Sequence, residues 1–245
     1  MFDRISPEPL KKGLVKKTMI KAIFLDWGAT LVSGFEETDE QIDELLKPYN
    51  LKWADVFKDW RNFYLLRSLG RIKTDDEMFD KLKKILNLPD TSVLEKIKKL
   101  QIDSHIITPE TIKTIKNLKK HYKIGIISNN IYEWVVPVLN KYQAEKLFDG
   151  IIVSSKTGFR KPDARIFAES LRALSVDSSE SVFVSDELSE DLVGSKGMGM
   201  TSIWLINPQV KSEWIAKESK EKKVFEPDAI IYNLNELPSI IKKFD

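Results

Sequence analysis

The chain has 245 residues, 39 basic against 37 acidic, and no cysteine. That balance gives no field for nucleic acid or a membrane surface, and the missing cysteines exclude disulfides and thiolate metal sites. No apolar run is long enough to span a bilayer, so the expectation is a soluble, cytoplasmic protein.

The opening stretch, MFDRISPEPLKKGLVKK, lacks the apolar segment of a signal peptide and reads as a polar extension, with Met19 as an alternative start. A continuous apolar run then reaches a lone carboxylate, giving a first strand over Ile20–Asp26. Residues 33–106 contain no strand pattern. Thr74-Asp-Asp-Glu77 is a capping-box signature for a helix through Leu86. Trp53, Phe57, Trp60 and Tyr64 recur at helical spacing, which predicts a packed stripe rather than a substrate wall. The segment reads as a helical insertion set above the end of the first strand.

Beyond it, strand and helix alternate. Thr108-Pro109 predicts a capped helix over Glu110–Tyr122, and Pro162–Leu174 is a second amphipathic stretch. Further buried strands are predicted at Ile124–Ser128, Ile151–Ser155, Val182–Asp186, Ser202–Ile206 and Ala229–Tyr232, with a charged helical pattern over 209–223. The whole reads as an α/β fold: a doubly wound, parallel-sheet, Rossmann-like core over 1–32 and 107–245, with a helical cap over 33–106.

Ligands in open α/β sheets bind beyond the carboxyl ends of the strands. Asp26, Ser128 followed by Asn129, and Asp186 all stand at such ends; Asp191 follows one turn after Asp186, and Lys161 precedes a helix. Each alone would be an ordinary turn, cap or surface charge. Together, in order and at one sheet edge, they resemble the motifs of the haloacid dehalogenase-like superfamily, mostly phosphatases. Asp26-Trp27-Gly28-Ala29-Thr30 is similar to its first motif, Asp-x-Asp-x-Thr; Ser128 matches the second and Lys161, within Arg-Lys-Pro-Asp, the third. Ser185-Asp186 through Asp191, followed by Gly194 to Gly199, matches the fourth.

The resemblance implies a small phosphorylated substrate, a nucleophile at Asp26 and an Mg²⁺ ion held by Asp26, the Gly28 carbonyl and Asp186, with Asp191 in the first or second shell. It implies a charge-balancing Lys161, phosphate contacts from the Ser128 hydroxyl and the Asn129 backbone N–H, and a Thr30 hydroxyl that fixes the turn or touches phosphate. A monomer or homodimer is expected.

The pattern breaks at Gly28, where the family places an acid/base aspartate. Losing such a group costs on the order of 10²–10⁴ in rate. Four readings stay open. The first is a phosphohydrolase acting on easy leaving groups, or borrowing Glu36 or Glu37. The second is carbon–phosphorus cleavage, since phosphonoacetaldehyde hydrolases carry a similar Asp-Trp-Ala-Gly-Thr and a cap lysine. The third is a metal-independent haloacid dehalogenase, against which Asp186 and Asp191 argue. The fourth is a non-catalytic binding protein.

Overall fold

The computed structural model describes residues 19–34, 38–206 and 226–245. The N-terminal extension, Glu36, Glu37 and the charged pattern over 209–223 therefore lie outside the described residues.

Six short strands form one parallel sheet: β1 (Ala22–Leu25), β2 (Lys123–Ser128), β3 (Gly150–Val153), β4 (Ser181–Ser185), β5 (Thr201–Leu205) and β6 (Ala229–Ile231). Their order is β3-β2-β1-β4-β5-β6. Successive side chains leave a strand on opposite faces. Ile23 and Leu25 enter one core cluster with Ile126, Val184 and Ile203, while Ala22 and Phe24 enter a second with Phe167, Phe183 and Trp204. Both faces are thus buried, and this is why the strands read as unbroken apolar runs. The chain steps outward from β1 in one direction to β3, then returns to its other side at β4. The carboxyl end of β1 is the switch point where such sheets open a crevice.

The segment after β1 carries α1 (Asp39–Leu46), α2 (Trp53–Ser68), α3 (Asp75–Ile85) and α4 (Ser92–Ser104). They share a cluster containing Ile42, Trp53, Trp60, Phe79 and Ile97. Trp53 and Trp60 of the aromatic stripe are buried there, Phe57 is exposed, and Tyr64 points its hydroxyl elsewhere. Ile131 and Trp134 complete the same cluster; Trp134 belongs to α6 (Tyr132–Lys141), which follows β2. The entering and leaving strands of the insertion pair with each other, Ser33 N–H donating to Ile106 O at 3.1 Å and Ile106 N–H to Ser33 O at 2.9 Å.

Element ends depart from the sequence reading for local reasons. Thr74 caps α3 as predicted by accepting from Glu77 N–H, but the Glu77 carboxylate accepts from Lys73 N–H rather than from Thr74. The helix after Thr108, α5 (Pro109–Leu118), ends a turn early as His121 N–H closes back on Leu118 O. β3 stops at Val153 because Ser154 Oγ and Ser155 N–H both donate to Asn130 O, drawing Ser154–Thr157 into a short helix, α7. The stretch predicted from Pro162 becomes helical only at Ala164, as α8 (Ala164–Leu174), where Asp163 caps it by accepting from Arg165 N–H.

Candidate active site

The tail of β1 is fixed before any ligand is considered. Asp26 N–H donates to Val184 O at 2.9 Å, so the residue continues the pairing of β1 with β4. The chain then turns sharply. Thr30 N–H reaches Gly28 O at 2.6 Å, with Ala29 in the left-handed region at φ 50°. Leu31 and Val32 N–H both donate to Trp27 O. The loop so formed holds the Asp26 carboxylate, almost fully buried, at the centre of the sheet edge.

Lys161 meets it from the loop before α8. Its ammonium, 4% exposed, bonds Asp26 Oδ1 and Asp191 Oδ2. Asp191 also accepts from Ser185 Oγ at 2.6 Å. The backbone of Lys161 is clamped by one side chain: its N–H donates to Asn129 Oδ1 at 2.7 Å, and its carbonyl accepts from Asn129 Nδ2 at 3.1 Å. Burial alone would lower the ammonium's pKa, but the charges of Asp191 and Asp26 outweigh it and hold Lys161 above the ordinary lysine range. Burial pushes the Asp191 carboxyl up to about 7, with Lys161 opposing and Asp26 adding to the rise.

Asp186 joins the group through the turn of β1. Thr30 Oγ1 donates to its Oδ1 at 3.0 Å and accepts from its N–H at 3.1 Å, while Trp204 Nε1 donates to its carbonyl at 3.0 Å. Desolvation, followed by the Asp26 charge, raises its carboxyl well above the usual range. Asp191 sits where it does because Leu188–Leu192 form one π-helical turn, capped by Glu187, whose carboxylate accepts from the N–H groups of Ser189, Glu190 and Asp191.

Asp26, Lys161, Asp186 and Asp191 are therefore brought together. Ser128 is buried at the end of β2, and its hydroxyl has no protein partner among the described residues. Two further side chains are committed to the scaffold. The Thr30 hydroxyl donates its single proton to Asp186 and so ties two loops. The Asn129 side chain positions Lys161, a role no local pattern announced because its partner lies 32 residues away. Sequence reading also passed over Arg160, whose Nη1 donates to Ser68 Oγ and Asn129 O, and Tyr64, whose hydroxyl donates to Asn130 Oδ1 at 2.9 Å. The Arg-Lys-Pro-Asp run and the stripe were the available signals for these two.

Among the described residues no three His, Cys, Asp or Glu side chains form a metal cluster by themselves. The donors present still fit a hard divalent cation. Among the described residues Asp26 Oδ2 and Asp186 Oδ2 have no protein donor, Gly28 O keeps one lone pair, and Asp26 and Asp191 share one ammonium. Magnesium characteristically takes one or two carboxylates and leaves its other positions to water and phosphate. A cavity of about 750 Å³ lined by Lys113, Lys116 and Lys120 of α5 with Asn235 and Pro238 contains none of these residues.

A family model described as haloacid dehalogenase-like hydrolase matches residues 20–199. The chain is 36% identical over 103 residues to a glyceraldehyde 3-phosphate phosphatase of Methanothermobacter thermautotrophicus, covering 42% of this chain and 45% of that one. It is 29% identical over 137 residues to the enzyme of the same name from Methanocaldococcus jannaschii, covering 55% and 56%. The matched region thus spans about half the length of these relatives. A 2-haloacid dehalogenase from Pseudomonas syringae pv. Tomato superposes with a TM-score of 0.69 at 22% identity, covering 93% of this chain and all of that one. A HAD phosphatase from Thermococcus onnurineus does so with 0.62 at 24%, covering 91% and 98%. At such identities the two chemistries share a fold and no more. With the model matching through all four motif positions, the chain belongs to the haloacid dehalogenase-like hydrolases.

Proposed function

We propose that the protein is a phosphohydrolase that cleaves a small phosphorylated metabolite through an aspartyl-phosphate at Asp26. The observation that carries this reading is the buried Asp26–Lys161–Asp191 chain at the switch point of the sheet, with the Ser128 hydroxyl at the end of β2 unpartnered among the described residues. The archaeal relatives named glyceraldehyde 3-phosphate phosphatases support the same class of substrate. Asp186, buried within the influence of the Asp26 charge, favours this over metal-independent dehalogenation.

In the first step a carboxylate oxygen of Asp26 attacks phosphorus in line, the phosphorus–oxygen ester bond breaks, and the alkoxide leaves with the bond's electron pair. Lys161 holds Asp26 in position and balances charge on the transferring group. Ser128 Oγ and the Asn129 N–H offer donors to the phosphate oxygens. Bound between Asp26, Asp186 and the Gly28 carbonyl, Mg²⁺ would supply electrostatic stabilisation of the transferring group. In the second step water attacks phosphorus, inorganic phosphate departs and the Asp26 carboxylate is restored. Residues 33–106 act as a cap, shedding water from the site when the substrate is bound.

Turnover of 4-nitrophenyl phosphate, whose leaving group needs no proton, tests the reading. Wild type is expected to release nitrophenol only with magnesium present, and Asp26→Asn is expected to lose that activity while keeping its folded circular-dichroism spectrum. Equal rates in both proteins would remove Asp26 from the chemistry.

A further inference from the structure

Arg160 carries more donor capacity than the fold uses. A guanidinium has five N–H donors. Here Nη1 spends its two on neutral acceptors, Ser68 Oγ at 2.6 Å and Asn129 O at 3.1 Å. Among the described residues, Nε and Nη2 have no hydrogen-bond partner and the group makes no ion pair. That unspent Nε–Nη2 edge is the one a carboxylate or phosphate takes in two parallel bonds. The side chain is half-buried, so leaving it unmatched is costly.

The neighbours sharpen the case. Arg61, Tyr64 and Ser68 are spaced three and four apart on α2 and so share one face. Tyr64 and Ser68 both bond the segment after β2 or its neighbour Arg160, which settles that this face looks onto the site. Arg61 stands one turn further along it, exposed and without an ion-pair partner among the described residues. Burial, with the Arg61 charge adding, lowers the Arg160 pKa, against the opposing influence of Tyr64, Glu190 and Asp191. Two like charges on one rim call for an anion. Arg160 also directly precedes Lys161, so the same clamped loop carries the cation at Asp26 and the cation at the rim.

We propose that Arg160 and Arg61 receive a second anionic group of the substrate, so that the preferred substrates are phosphate esters bearing a carboxylate or another phosphate. The inference rests on the phosphohydrolase reading above and names its substrate class. A residue serving only to tie α2 to the loop would need one nitrogen; the three remaining N–H groups are what the second anion explains.

The test compares kcat/KM for three esters of one carbon skeleton: glycerol 3-phosphate, 3-phosphoglycerate and 2,3-bisphosphoglycerate. Wild type is expected to favour one of the two acidic esters by about tenfold or more, the value of one charge-assisted bond pair. Which of them is favoured identifies the anion. In Arg160→Gln and Arg61→Gln that preference is expected to shrink, chiefly through KM. No preference in wild type, or variants that slow all three esters by one common factor, would overturn the proposal. Hydrolysis of 4-nitrophenyl phosphate by the same preparation keeps the two readings apart: activity there without an acidic-ester preference fails this inference alone. If no ester is turned over, the phosphohydrolase reading fails, and calorimetric binding of 3-phosphoglycerate against glycerol 3-phosphate decides the anion site. Equal affinities would then reject it.

Discussion

At position 28 there is no side chain to give a proton to the leaving alkoxide or to take one from the attacking water. Both halves of the proposed reaction run without that help, and the effect is largest for alkoxides of high pKa. Gly28→Asp is therefore expected to raise kcat on glycerol 3-phosphate by about tenfold to a hundredfold, and to raise 4-nitrophenyl phosphate turnover as well, because attack of water on the aspartyl-phosphate is common to both substrates. An unchanged rate on the alkyl ester would mean that another acid is already in place. The neighbouring residue makes a separate prediction. Ala29 holds φ at 50°, where an L side chain strains against its own backbone and glycine does not. Ala29→Gly is expected to stabilise the fold by about 0.5–1 kcal/mol in a urea melt, less any entropy gained by the unfolded chain.

At the scale of elements, the helical segment is tied to α6 of the core by buried charge. Asp75, at the start of α3, accepts from Arg67 Nε of α2 at 3.0 Å, Lys98 Nζ of α4 at 2.8 Å and Trp134 Nε1 of α6 at 3.0 Å. Arg67, only 5% exposed, reaches on to Glu133 at 2.9 Å. Removing one partner from such a network strands the others away from water. Asp75→Ala is expected to cost about 3–5 kcal/mol, read as a lower denaturation midpoint, whereas an exposed pair such as Lys47–Glu44 should contribute less than about 1 kcal/mol. The strands were legible because burial on both faces writes apolar runs such as that of β1. The π-turn that aims Asp191 was not, since it depends on Glu187 folding its carboxylate back over three N–H groups. Nor was the clamp of Asn129 on Lys161, or the reach of Tyr64 from the stripe to Asn130, because such contacts are set by tertiary packing rather than by spacing.

Across the whole molecule, the loops after β1 and β4 are joined by Thr30 and Asp186 and share an excess of carboxylate over ammonium. A divalent cation held at that junction would bind the folded state alone. At a hundredfold excess over its Kd, magnesium is expected to add about 2.7 kcal/mol, which raises Tm by about 5–10 °C in a chain of this size. Asp186→Asn is expected to abolish most of that rise.

In the proposed reaction Asp26 becomes covalently phosphorylated. With no acid/base at position 28 the second step is the slow one, so the phosphoenzyme should accumulate. Wild type mixed with 4-nitrophenyl phosphate and magnesium, quenched in acid within the first turnovers and digested, is predicted to show one added phosphoryl group on the peptide containing Asp26, preceded by a burst of nitrophenol. Steady turnover with that peptide unmodified, or the modification on another residue, would contradict the account.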